Sequence, residues 1–219
     1  MQQLSGKTMF ERYLERSMSY TDYIKLIDDL LIMGKTTGPN QSQEMFNYGK
    51  INRQRMYRIA KTIELEEKVV STAKNVKRGV IWLIITEGWC GDAAQNIPVI
   101  EKIAAQSGNI ETRYILRDEN LGLIDQFLTN GSRSIPKLIA LDAATLEVLG
   151  TWGSRPAPAQ AIFYALIERG VAKPLVMENL QRWYNADRGK TIQAEFVKFI
   201  EQGEGSEQGG GKQVLVVRA

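Results

Sequence analysis

Val80-Ile81-Trp82-Leu83-Ile84-Ile85-Thr86-Glu87-Gly88-Trp89-Cys90-Gly91-Asp92-Ala93-Ala94-Gln95 is the stretch that decides the fold of this 219-residue chain. Its first seven residues are an almost unbroken apolar run, the pattern of a strand buried on both faces. Residues 92–107 then read as a helix, so strand passes to helix through a short turn that carries Cys90. The free amides of a helix's first turn and the positive end of its dipole favour an anion, which draws a thiol at that position toward thiolate. The carboxyl ends of parallel strands are also where open α/β sheets expose their sites. The competing reading of Cys90 is a small buried hydrophobe, since free cysteine is among the most buried residue types.

Working downstream, Ile110 to Leu116 reads as a second strand and 120–129 as a helix stopped by Asn130-Gly131. Lys137 to Asp142 and Leu146 to Thr151 read as a hairpin turning at Ala143-Ala144, and 157–169 as a helix ending at Gly170. The order β-α-β-α-β-β-α predicts an α/β fold, with a central mixed sheet flanked by helices. Upstream, Tyr23, Ile24, Ile27, Leu30 and Leu31 recur at helical spacing, and Gly34 is placed to end that helix. A loop over 35–40 leads to a second helix, with Met45, Tyr48, Asn52, Met56, Ile59 and Ile63 along one stripe. Near the end, 190–202 reads as a helix, Gly203 to Lys212 as a flexible linker, and Gln213 to Ala219 as either an added edge strand or a free end. The organisation is therefore a helical N-terminal extension over 1–77, an α/β domain over 78–180, and a C-terminal helix with a tail over 181–219.

Composition narrows the chemistry. The chain has no histidine and one cysteine. It has no Ser-His-Asp triad, no Cys-His pair and no histidine-ligated metal, and it forms neither an intrachain disulfide nor a Cys-x-x-Cys redox pair. No cofactor and no metal are expected. Gly34-Lys35-Thr36 and Gly189-Lys190-Thr191 imitate a phosphate loop, but the glycine required five residues earlier is Asp29 in one and Tyr184 in the other. The absence of a signal-like or membrane-length apolar run, together with the lone thiol, sets the expectation of a cytoplasmic protein without membrane contact. Net charge is +3, too small to suggest nucleic acid, although residues 50–78 hold nine Lys or Arg against three Glu. That basic stretch reads as a solvated helix face or, as a lesser alternative, a surface for an anionic partner. The sequence does not indicate an oligomeric state.

Trp89-Cys90-Gly91 resembles the first half of the thioredoxin Trp-Cys-Gly-Pro-Cys site. Pro98 sits where thioredoxins carry a helix-kinking proline. Arg133-Ser134-Ile135-Pro136, with Pro136 46 residues after Cys90, is similar to the segment holding that family's cis-proline beside the active site. The resemblance implies a thioredoxin-like fold with an N-terminal helical extension. The helical leader and Arg182-Trp183-Tyr184 further resemble a bacterial branch carrying a Trp-Cys-Gly-Asp motif. The resemblance also implies Cys90 as the catalytic thiol, neighboured by Glu87, Trp89, Gly91, Asp92, Ala93, Arg133, Ile135, Pro136 and Lys137.

Departures from the family pattern limit the activity. Ala93 stands where thioredoxin has its second cysteine, and Asp92 where it has the intervening proline. The second thiol releases product from the mixed disulfide, so Cys90 alone performs only the attack. Asp92 and Glu87 oppose thiolate formation and Lys137 favours it, while Ile84 replaces the buried acidic residue of many thioredoxins. The leading expectation is monothiol exchange or redox sensing, with a protein or low-molecular-weight thiol or disulfide as partner and an external thiol resolving the adduct. The alternative is a non-redox protein-binding module presenting the groove around Trp89 and Pro136.

Overall fold

In the computed structural model, residues 6–205 are described, with side chains from Met9 to Glu204. The N-terminal part comprises α1 (Gly6–Glu15), α2 (Tyr20–Ile32), α3 (Gln43–Thr62) and α4 (Glu67–Lys74). The central part runs β1 (Val80–Thr86), α5 (Gly91–Ala104), β2 (Ile110–Leu116), α6 (Leu121–Ile124), β3 (Lys137–Asp142), β4 (Val148–Trp152) and α7 (Ala157–Glu168). Two further helices follow, α8 (Lys173–Asp187) and α9 (Lys190–Gly205). The four strands form one mixed sheet in the order β2-β1-β3-β4. β1 pairs in parallel with β2 and antiparallel with β3, and β3 pairs antiparallel with β4.

The apolar run of β1 is buried throughout except for Ile81, as a central strand requires. The leader is built into this domain. Met18 and Tyr114 exchange backbone hydrogen bonds of 2.7 and 2.8 Å, which tie the α1–α2 link to β2. Tyr23 of α2 stacks on Tyr114 with 5.2 Å between ring centroids, and its hydroxyl lies 3.2 Å from Thr86 Oγ1 at the end of β1. Arg53 of α3 grips Asp28 of α2 with two hydrogen bonds, and the Lys102 ammonium of α5 donates to the Ile63 carbonyl. On β1 and β4, Trp82 and Trp152 meet Phe196 of α9 edge to face.

Several expectations shift. The helix read over 120–129 is limited to Leu121–Ile124, beyond which Gln126 and Phe127 bond three residues back, in the tighter turn geometry. Gly122 weakens this segment as a helix, and the chain must turn to return toward Pro136. The fourth strand starts later because Asp142 Oδ1 accepts the Ala144 and Thr145 amides and prolongs the turn. Asn52, Met56 and Ile63 of the expected α3 stripe are buried, but Tyr48 is exposed and Gly49 is buried in its place. α8 has no counterpart in the sequence reading. Residues 203–205 continue α9 and are not linker; the rest of that linker and the expected tail strand lie outside the described residues. Among the described residues no helix is long and apolar enough to cross a membrane.

Candidate functional site

Cys90 caps the N-terminus of α5 with extended backbone, and its sulfur accepts the Ala93 amide at 3.4 Å. The thiol donates to the Ile135 carbonyl at 3.3 Å, and the Ile135–Pro136 peptide is cis. Strand end, helix start and proline loop therefore converge on one sulfur atom, on a residue only 7% exposed. Burial pushes the Cys90 thiol up to about 12, with the Asp92 carboxylate adding to it and the Ala93 amide and the Arg155 guanidinium opposing. The cation acting on the thiol is thus Arg155 and not the expected Lys137.

Asp92 is buried and fully engaged. Its Oδ2 lies 2.7 Å from Arg155 Nη2, and Oδ1 accepts the Tyr184 hydroxyl at 2.9 Å. Asn96 Nδ2 donates to both the Asp92 carbonyl and the Tyr184 hydroxyl. Arg155 is held in turn by Ser154 and Gln160, and its guanidinium lies 4.1 Å from the centroid of the Phe163 ring. Burial raises the Asp92 carboxyl above its ordinary value, while Arg155, Tyr184 and Arg55 pull it down.

The remaining predicted residues divide. Ala93, Ile135 and Pro136 are buried around the sulfur, and Gly91 is exposed beside Arg55. Trp89 is half-buried, with Arg117 stacked 4.9 Å from its ring centroid. Lys137 is buried and bonds to Thr129, and burial lowers its ammonium below the ordinary lysine value. Arg133 is committed to a bidentate pair with Asp125. The groove expected between Trp89 and Pro136 is covered on two sides. From the leader, Thr37 Oγ1 accepts the Gly88 amide, and Asn52 Nδ2 reaches the Gly88 carbonyl. From the β4–α7 loop, Gly153 lies so close that an added Cβ would stand 2.2 Å from the Pro136 carbonyl oxygen.

Glu87 is also fully buried; Oε1 accepts the Asp118 amide, and Oε2 has no hydrogen-bond partner among the described residues. Burial raises its carboxyl from 4.5 to about 6, with Thr37 and the Asp118 amide opposing. The folded chain therefore holds this proton more tightly than the unfolded chain. Stability is expected to fall by about 2 kcal/mol as pH rises from 4.5 through about 6. Glu87→Gln is expected to flatten that step in urea titrations across this range. A pH profile unchanged by the substitution would refute the assignment.

Arg155, Tyr184 and Asn96 are the neighbours that sequence reasoning missed. Arg155 sits in Gly153-Ser154-Arg155-Pro156, a polar run between strand and helix at the same sheet end as Pro136, and that placement was the available signal. Among the described residues no cluster of acidic and cysteine side chains is arranged to hold a metal.

The sequence profile of the thioredoxin family matches residues 38–170, well over half of the chain. The chain belongs to the thioredoxin family. The match starts inside the leader and so includes Asn52, which reaches the Gly88 carbonyl of the Cys90 loop in this thioredoxin-family domain. Two solved structures are similar, a protein of unknown function from Pseudomonas aeruginosa and an HIV epitope-scaffold, with TM-scores of 0.53 and 0.51. Each is 17% identical, over 84% of this chain and 98% of the other, which establishes likeness of fold alone. No curated protein matches the chain.

Proposed function

We propose that this thioredoxin-family chain is a non-redox binding module in which Cys90 is a structural thiol. One observation carries the reading: the sulfur is buried, donates to the Ile135 carbonyl, and is pushed up to about 12. The thiolate that would attack a disulfide or peroxide is therefore scarce at neutral pH. The absence of a second cysteine and the burial of Pro136 point the same way. With the Trp89–Pro136 groove covered, binding on this reading uses another surface. The Trp89-Cys90-Gly91-Asp92 motif supports placing the chain in the bacterial Trp-Cys-Gly-Asp branch, and the lone thiol suits a cytoplasmic setting.

Intact mass spectrometry after treatment with glutathione disulfide or hydrogen peroxide tests this. The folded protein is expected to keep a free Cys90 while the denatured chain is modified. A glutathione adduct on the folded protein would overturn the reading.

A second reading is monothiol exchange, favoured by the Ala93 amide and the Arg155 guanidinium, which both stabilise a thiolate. In it the Cys90 thiolate attacks a substrate disulfide, one sulfur leaves as thiolate, and an external thiol later reduces the mixed disulfide. It requires the sulfur to become exposed first.

A further inference from the structure

A cleft of about 510 Å³ lies where α3, α5 and the α8–α9 junction meet. This is within the size range of small-molecule sites. Two guanidinium groups, Arg58 and Arg188, line it, and neither side chain has a hydrogen-bond or ion-pair partner among the described residues. Among the described residues the one carboxylate in the wall is Asp187, which accepts the Thr191 amide and hydroxyl at the start of α9. Asp92, nearby behind Tyr184, is already matched by Arg155. Arg55 adds a third positive charge next to Arg58, and the two repel. The wall therefore carries a net positive charge, two guanidinium groups against one carboxylate, with Arg55 adding to it.

The rest of the wall is built for an organic ligand. Ile59, Val99 and Ile192 supply an apolar face. Asn96 is 1% exposed and holds the Tyr184 hydroxyl at 3.1 Å, so the polar part of the wall is fixed before any ligand arrives. Anions are recognised by guanidinium forks that donate to two oxygens at once, and an adjoining apolar surface adds affinity for an organic body.

We propose that this cleft binds a small amphipathic anion, a phosphate monoester or a carboxylate with an apolar body, held through Arg58 and Arg188. The proposal rests on the binding-module reading and names its ligand class. The cleft does not use the Cys90 sulfur, so the two are separable by experiment. A reactive Cys90 would overturn the module reading and leave the titration below unaffected.

The test is isothermal titration of the full chain with phenyl phosphate, benzoate, inorganic phosphate and benzyl alcohol. Phenyl phosphate or benzoate is expected to bind saturably, and the tighter of the two identifies the head group. Inorganic phosphate is expected to bind more weakly and benzyl alcohol not at all. Arg58→Gln and Arg188→Gln are each expected to weaken binding about tenfold, the loss of one charge-assisted contact. Both side chains are exposed and unpaired, so circular dichroism and melting temperature should stay unchanged. No saturable binding of either aromatic anion would overturn the proposal. So would wild-type affinity in the Arg58→Gln/Arg188→Gln double variant.

Discussion

Arg155→Met is expected to destabilise the folded chain by about 3–5 kcal/mol, the cost of stranding one member of a buried ion pair. Asp92 and Arg155 are 10% and 9% exposed, and their 2.7 Å contact is the main charge compensation for the Asp92 carboxylate. Methionine keeps most of the apolar stem and removes the guanidinium, so the loss is electrostatic and not a cavity. Thermal melting should show a fall of roughly 10 °C for a chain of this size. A variant melting within about 2 °C of the parent would show that the pair contributes nothing of this order.

The pH dependence of the loss carries its signature. Without Arg155, burial raises the Asp92 carboxyl further above its unfolded value, so the folded variant favours the protonated acid. Its stability therefore falls as pH rises through the folded value, and the difference from the parent is smallest at low pH. The Asp92→Asn/Arg155→Met double variant removes both charges and keeps an acceptor for the Tyr184 hydroxyl. Recovery of most of the lost stability in that variant assigns the loss to a stranded charge. A destabilisation independent of pH and not relieved in the double variant would assign it to packing.

How far the sequence revealed this arrangement depends on the kind of signal. β1, β2 and β3 were legible to the residue because apolar runs bounded by polar turns specify buried strands. The thiol's place at the start of α5 followed from the same transition. The Asp92 network was not legible, because Arg155 and Tyr184 lie 63 and 92 residues beyond Asp92 and no local period connects them. The direction in which the thiol is displaced was equally out of reach. Helix dipole, Asp92, Glu87 and Lys137 could all be read as charges, but the largest cause is burial, and burial is set by loops packed from elsewhere in the chain. Lys137 shows the same limit. It is adjacent to Pro136 in sequence, yet its ammonium is spent on Thr129. α8 escaped notice because its amphipathic pattern is weak, with only Val176 and Leu180 buried.

Native Cys90 is expected to react with iodoacetamide on the order of a hundredfold more slowly than the same thiol in the denatured chain. The loss of thiolate outweighs the higher nucleophilicity of a more basic one. The thiolate is the nucleophile, and well below the thiol's midpoint its population falls in proportion to the thiol's acidity. Displacement of the thiol from 9.0 up to about 12 therefore removes about three powers of ten of thiolate at neutral pH, before any loss of access is counted. The rate should keep climbing by about tenfold per pH unit to beyond about pH 10, where an unperturbed thiol has already levelled off. Two routes to modification remain, and they differ in what Arg155→Met does. If reagent reaches the closed site, removing the guanidinium slows the reaction, because a group that favours the thiolate is lost. If modification follows local opening, the same substitution accelerates it, because loss of the buried ion pair destabilises the closed state. A native rate within about tenfold of the denatured rate would mean that the sulfur is neither shielded nor held protonated. The structural-thiol reading would then give way to monothiol exchange.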